Sequence, residues 1–218
     1  MNVDRLINRY FVAEEFGHPT IEVFDHETIY ETYKDIVNLL NGYPDVEVSV
    51  LQALSYCLYE VLDNVLTHSE RKCGTAIMRY SAPKCRIQIL VADDGVGILS
   101  SLRQNTKYSD ITEEDAVRTC IDDGVTDGKG MGFGLYSTAR LIKNVGITLE
   151  IHSGHSKLVY DGTNACIQRT EEWKGTIVYL ELYSDREIDP NDVVDNRTDC
   201  ESQFNEEFCK EDELDNLW

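Results

Sequence analysis

Basic residues are scarce in this chain, with 20 Lys and Arg against 40 Asp and Glu and a formal net charge of −20 over 218 residues. That balance argues against nonspecific nucleic-acid binding, which needs cations to neutralise phosphates. No apolar run is long enough to span a membrane. The opening MNVDRLINRYFVAEEF carries acids and bases throughout, unlike a secretory signal. The seven cysteines (57, 73, 85, 120, 166, 200 and 209) are odd in number, scattered and without a CxxC pair. This excludes a structural zinc knuckle and fits a reducing compartment, so a cytoplasmic setting is expected. No internal repeat is present, and there is no GxxxxGK[ST] phosphate loop.

The acids are unevenly placed. Residues 185–218 hold thirteen acids and three bases, which is half of the net charge. Few aliphatic residues stand among them, as in segments that stay unfolded. This tail reads either as a solvated chain or, through Phe204, Phe208, Leu214, Leu217 and Trp218, as a short docking helix. The remainder, 1–184, is long enough for one domain.

Within it, Val3, Leu6, Ile7, Tyr10 and Phe11 recur at helical spacing, placing an amphipathic helix in residues 1–19. Its apolar face suits either a homodimer interface or its own domain. Thr20–Phe24 reads as a strand and 27–40 as a helix. Ser49 with Gln52 has the form of a capping box opening a long helix whose face carries Leu51, Leu54, Leu58, Val61, Leu62 and Val65. Strands are expected at 75–80 and 86–93, a helix begun by Thr112 and Asp115, and a further helix at 135–145. Four strands follow, at 147–153, 158–160, 165–169 and 175–182. Helices gather early and strands late. An α+β fold follows, a two-layer sandwich with a mostly antiparallel mixed sheet.

Three stretches carry chemistry. Glu60, Asn64 and His68 are spaced by four and share one stripe of the long helix, where a carboxylate, an amide and an imidazole can reach one ligand. Glu60 can serve as a general base and Asn64 can offer an oxygen to Mg²⁺; a plain solvent-facing stripe is the competing reading. In VADDGVGI, a strand ends on Asp93, and Gly95 and Gly97 permit a sharp turn. An aspartate there can accept a hydrogen bond from an exocyclic amine such as that of adenine, or simply begin an Asp-Gly turn. In GKGMGFGL, four of the fourteen glycines fall within seven positions and run straight into an amphipathic helix. Bare amides at a helix N-terminus suit a phosphate, and Lys129 adds a positive charge beside them.

Taken in this order, E-x-x-x-N-x-x-x-H, D-x-G-x-G, G-x-G-x-G-L and a closing Gly175-Thr176 resemble the GHKL superfamily. These are the ATP-binding domains of gyrase B, heat-shock chaperones, mismatch-repair ATPases and histidine kinases. The resemblance covers roughly residues 20–182 and implies the Bergerat ATP-binding fold. It also implies ATP and Mg²⁺ as ligands, with Asn64 holding the metal, Asp93 reading adenine and Gly95, Gly97 and Ile98 turning beside the base. Residues 99–129 take the place of the ATP lid. Lys129, Gly130, Met131, Gly132, Phe133, Gly134 and Leu135 form the hinge and phosphate box, and Thr176 lies near adenine. Glu60 stands where gyrase-type ATPases keep a water-activating base.

The layout narrows the expectation further. His26-Glu27 resembles a phosphoacceptor motif, but Tyr30 departs from it, and too little chain precedes it for a dimerising hairpin. No transducer domain follows. The arrangement is similar to stand-alone anti-sigma-factor serine kinases, which implies a regulatory protein partner, of the STAS type for instance, phosphorylated on Ser or Thr. Two alternatives stay open: an ATP-gated binding switch with little turnover, and a gyrase-like hydrolase.

Overall fold

The computed structural model describes residues 2–11, 18–130 and 132–193. In chain order the elements are α1 (Val3–Tyr10), β1 (Thr20–Asp25), α2 (Ile29–Asn41), α3 (Val48–His68), β2 (Cys73–Ser81) and β3 (Arg86–Ala92). There follow α4 (Gly97–Leu102), α5 (Glu113–Thr119), α6 (Gly134–Val145), β4 (Gly146–Tyr160) and β5 (Ala165–Tyr183). The strands form one sheet in the order β1-β2-β3-β5-β4, and all four described pairings are antiparallel. This narrows the mostly antiparallel mixed sheet expected from the sequence.

Side chains alternate across a strand with period two, so each row of paired residues belongs to one face. The row Met78, Ile89, Leu180 and Leu149 faces the main core. There it meets α2, α3 and α6, and the predicted apolar stripe of α3 is buried throughout. The next row, Ile77, Leu90 and Tyr179, faces the other way. It is covered by α1 through Leu6 and Phe11. Asn2 caps α1 by accepting from the Arg5 N–H at 3.1 Å. Beyond its other end, the buried Arg79 donates from Nη1 to Phe11 O at 3.0 Å and from Nε to Gln88 Oε1 at 3.0 Å. The apolar face of α1 therefore packs on its own sheet and adds a partial third layer.

Several local expectations change. Ser49 does not cap α3; Glu47 precedes the helix, and its N–H donates to Ser184 O at 2.8 Å, tying the helix start to the chain beyond β5. The Ser49 hydroxyl instead accepts from the Ile188 N–H at 3.3 Å. The four strands expected after residue 146 are two long ones, β4 and β5, joined as a hairpin with register shifts near Gly154. Polar stretches such as His155-Ser156-Lys157 hid this continuity, because a ladder is made by backbone groups whatever the side chains are.

The folded unit also runs past residue 184. Ile188 and Val193 are buried in the main core, Val193 completely, and the turn Pro190–Asp192 packs against α3 and α6. Acidic composition averaged over the tail concealed these two anchors. Residues 194–218, with the five apolar residues of the suggested docking helix, lie outside the described residues. The anchoring has a measurable consequence: Val193→Ala should lower the unfolding free energy by roughly 1–3 kcal/mol in urea titrations, whereas a solvated tail residue would leave it unchanged.

Candidate functional site

A cavity of about 530 Å³ opens where α3, the ends of β3 and β5, α4 and the start of α6 converge. Its size falls in the usual range for small-molecule sites. Of the residues predicted from sequence, Glu60, Asn64, Asp93, Gly97, Ile98, Lys129, Gly130, Gly132, Phe133, Gly134, Leu135 and Thr176 line it. Gly95 sits behind Asp93 instead, its N–H donating to Asp93 Oδ1 at 2.7 Å. Met131 lies outside the described residues. His68, the third member of the predicted stripe, also faces the cavity.

Asp93 closes one end. It follows β3 directly, is buried, and its N–H donates to Thr176 O at 2.9 Å. Burial raises its carboxyl to about 6, against the opposing hydrogen bonds from the Gly95 and Thr176 N–H groups. Asp94, by contrast, is half-exposed and pairs with Arg71 at 3.0 Å, as its place outside the D-x-G-x-G pattern suggested.

At the other end, α6 begins at Gly134 without any side-chain cap. Its first amides are therefore open to an anion, and the helix dipole adds to their pull. A methyl group on Gly134 would lie 3.0 Å from Asn64 Nδ2 and 3.1 Å from Glu60 Oε2, so anything larger than glycine would crowd these two side chains. Among the described residues, neither the Asn64 carboxamide nor the Glu60 carboxylate has a hydrogen-bond partner. Burial, helped by the nearby Asp63 charge, raises the Glu60 carboxyl to about 7. A methyl on Gly130 would meet nothing within 4 Å, so there is room beside this loop.

Sequence reasoning missed Asp127. Its side chain is 1% exposed, and its Oδ2 bonds both His68 Nδ1 at 2.7 Å and Ser101 Oγ at 2.8 Å. Its Oδ1 accepts the Lys129 N–H at 3.0 Å. Burial alone would raise this carboxyl, but the bonds from Lys129 N–H, His68 and Ser101 hold it below the usual value. One carboxylate thus joins the end of α3, α4 and the glycine-rich loop. Lys129 Nζ lies 3.9 Å from it and 3.4 Å from Thr67 O.

The stretch 99–129, expected as a lid, is mostly exposed or half-buried and is held by a few buried anchors. Leu102, Ala116, Val117 and Cys120 are buried. Thr112 caps α5 as predicted, and Glu113 Oε1 accepts from the His155 N–H and from Ser156 Oγ, each at 2.9 Å, fastening α5 to β4.

The sequence that builds this site matches a known family. The family model for histidine kinase-, DNA gyrase B- and HSP90-like ATPases matches residues 50–186, more than half of the chain. The chain belongs to this family. A search of curated proteins returns no match.

As a member of the histidine kinase-, gyrase B- and HSP90-like ATPases, the domain is an ATP-binding module of the ATPase or kinase type. Magnesium is typical of such domains, and the donors present suit it. Among the described residues no cluster of three or more His, Cys, Asp or Glu could hold a metal by itself. Asn64 can contribute one oxygen, with phosphate oxygens and water completing the octahedron that Mg²⁺ prefers. Among the described residues no helix is long and apolar enough to cross a membrane.

The raised Glu60 carboxyl has a sign that stability measurements can read. The folded state holds this proton more tightly than the unfolded chain does. Stability from this group is therefore lost as pH rises from 4.5 to about 7. Glu60→Gln should melt within a degree or so of wild type near pH 4.5 and about 3–8 °C higher at pH 8. Equal midpoints at both pH values would show that Glu60 is not desolvated.

Proposed function

We propose that this protein binds Mg-ATP in the cavity and transfers its γ-phosphoryl group to a Ser or Thr hydroxyl of a regulatory protein, in the manner of anti-sigma-factor kinases. Asp93 accepts the adenine amine, with Thr176, Gly97 and Ile98 around the base. The segment from Lys129 to Leu135, Met131 included, wraps the phosphates at the start of α6, and Asn64 holds the metal. Bound Mg²⁺ would neutralise phosphate charge, a need made sharper by the carboxylates of the cavity.

The observation that carries this reading is Glu60. A carboxylate without a partner, held against an uncapped helix N-terminus, is placed to take the proton of an attacking hydroxyl as the phosphoryl group leaves ADP. Its raised affinity for a proton suits a base working near neutrality. The five described cysteines are all free, which supports a reducing, cytoplasmic setting. The Asp127 junction favours a second reading, an ATP-gated binding switch, since a ligand competing for Lys129 would alter the loop that this carboxylate holds. A protein that released phosphate from ATP without any partner would instead be a gyrase-like hydrolase.

Calorimetry with ATP, with and without Mg²⁺, tests the site. Asp93→Asn should abolish binding, Glu60→Ala should keep the affinity within about threefold, and chelation of Mg²⁺ should weaken it. Phosphoryl transfer should fall roughly 10²–10⁴-fold in Glu60→Ala. In wild type it should rise with pH through about 7 as Glu60 ionises. A Glu60→Ala protein with full turnover would leave the switch as the better account.

A further inference from the structure

Asp93 is gripped by one short segment of β5. Trp173 Nε1–H donates to Asp93 O at 2.9 Å, and the Asp93 N–H donates to Thr176 O at 2.9 Å. Gly175, at φ +98°, lies so close that a methyl there would collide with Asp93 O and come within 2.6 Å of Asp93 Oδ1. Gly175 and Thr176 belong to the motif read from the sequence. Trp173 does not, and it does not line the cavity.

The sheet explains how the indole gets there. Ser153 pairs with Thr176, but the next residue, Gly154, pairs with Trp173, so Lys174 and Gly175 bulge out of β5. A bulge bends its strand and re-aims the neighbouring side chains. The β3–β5 register ends at Ala92 and Ile177, leaving the Asp93 carbonyl beyond the last paired residues. The re-aimed indole N–H supplies a donor to that buried carbonyl, which would otherwise be left without one at a cost. The ring itself is buried in the outer cluster with Leu6, Phe11 and Tyr179, so α1 backs it from behind.

We propose that Trp173 is a positioning residue for recognition of the nucleotide base. It touches no nucleotide. By holding the Asp93 main chain, it fixes where the carboxylate meets the base, leaving the phosphate end of the cavity to α6 and Lys129. This rests on the reading of Asp93 as the base-binding residue.

The test separates the two ends of the site. Affinities for ATP and for inorganic tripolyphosphate, which has no base, are measured by calorimetry on wild type, Trp173→Phe and Asp93→Asn. A fourth protein carries benzothienylalanine at position 173, which keeps the ring shape and removes only the N–H, so it reports even where Trp173→Phe folds poorly. The expected result is ATP binding weakened about fivefold in both position-173 variants, with tripolyphosphate affinity unchanged. ATP affinity equal to wild type in the benzothienyl protein, or equal weakening of both ligands, would overturn the positioning role while the Asp93 reading stands. ATP binding that survives Asp93→Asn intact would overturn the base-binding reading and, with it, this one.

Discussion

At Gly134 the first turn of α6 comes so close to α3 that a methyl group there would fit only if Asn64 and Glu60 gave way by a few tenths of an ångström. Asn64 and Glu60 lie on the other side of that gap, within about a van der Waals contact of where a methyl would be. Everything at the phosphate end follows from this approach. It sets open backbone amides opposite an amide and a carboxylate that have no other partner among the described residues. A larger residue would have to displace the Asn64 and Glu60 side chains or shift α6. The buried stripe of α3 and the buried face of α6, including Leu141, Ile142 and Val145, hold the helices in this position from the core side.

Three carboxyls around the cavity respond differently to burial, and their hydrogen bonds and neighbouring charges contribute to the difference. Glu60 has none among the described residues and is raised most, to about 7. Asp93 has backbone donors from Gly95 and Thr176 and is raised less, to about 6. Asp127, with a backbone N–H, a hydroxyl and an imidazole around it, is lowered. Desolvation penalises all three, and hydrogen-bond donors to the charged form offset it at Asp93 and Asp127. The order also fits the roles proposed for the three positions. A base must exchange a proton, a base-reading acceptor must keep a lone pair available, and a structural tie must stay ionised.

Much of this was legible in the sequence where the signal was local. The period of a helix puts Glu60, Asn64 and His68 on one stripe, and the structure turns that stripe into one wall of the cavity. Asp93 at a strand end and the glycine run before α6 were legible for the same reason, since each motif is a single turn of chain. What stayed hidden acts across distance in the sequence. Asp127 meets His68 and Ser101 from other elements, and nothing in TDGKG announces a buried acid. Trp173 reaches Asp93 only because of a bulge two residues long in β5, which no side-chain pattern encodes. Ile188 and Val193 were overlooked because the acids around them dominate any average.

Glu113 and Asp127 divide the stretch between α4 and α6 into parts with different freedom. Glu113 fastens the start of α5 to the bend in β4, and Ala116 and Val117 of that helix, with Cys120 just after it, are buried. Moving α5 would therefore break buried contacts as well as two hydrogen bonds to one carboxylate. Past Cys120, the chain is tied chiefly through Asp127, whose partners include His68 and the Lys129 backbone. Opening free energies in a folded protein follow the number of such buried contacts. A triphosphate drawing Lys129 toward itself would act on the glycine-rich segment next to α6 and leave α5 in place. On the proposed reading, the surface that nucleotide would change is the short run between Cys120 and Gly130, alongside the helix start that meets Asn64 and Glu60.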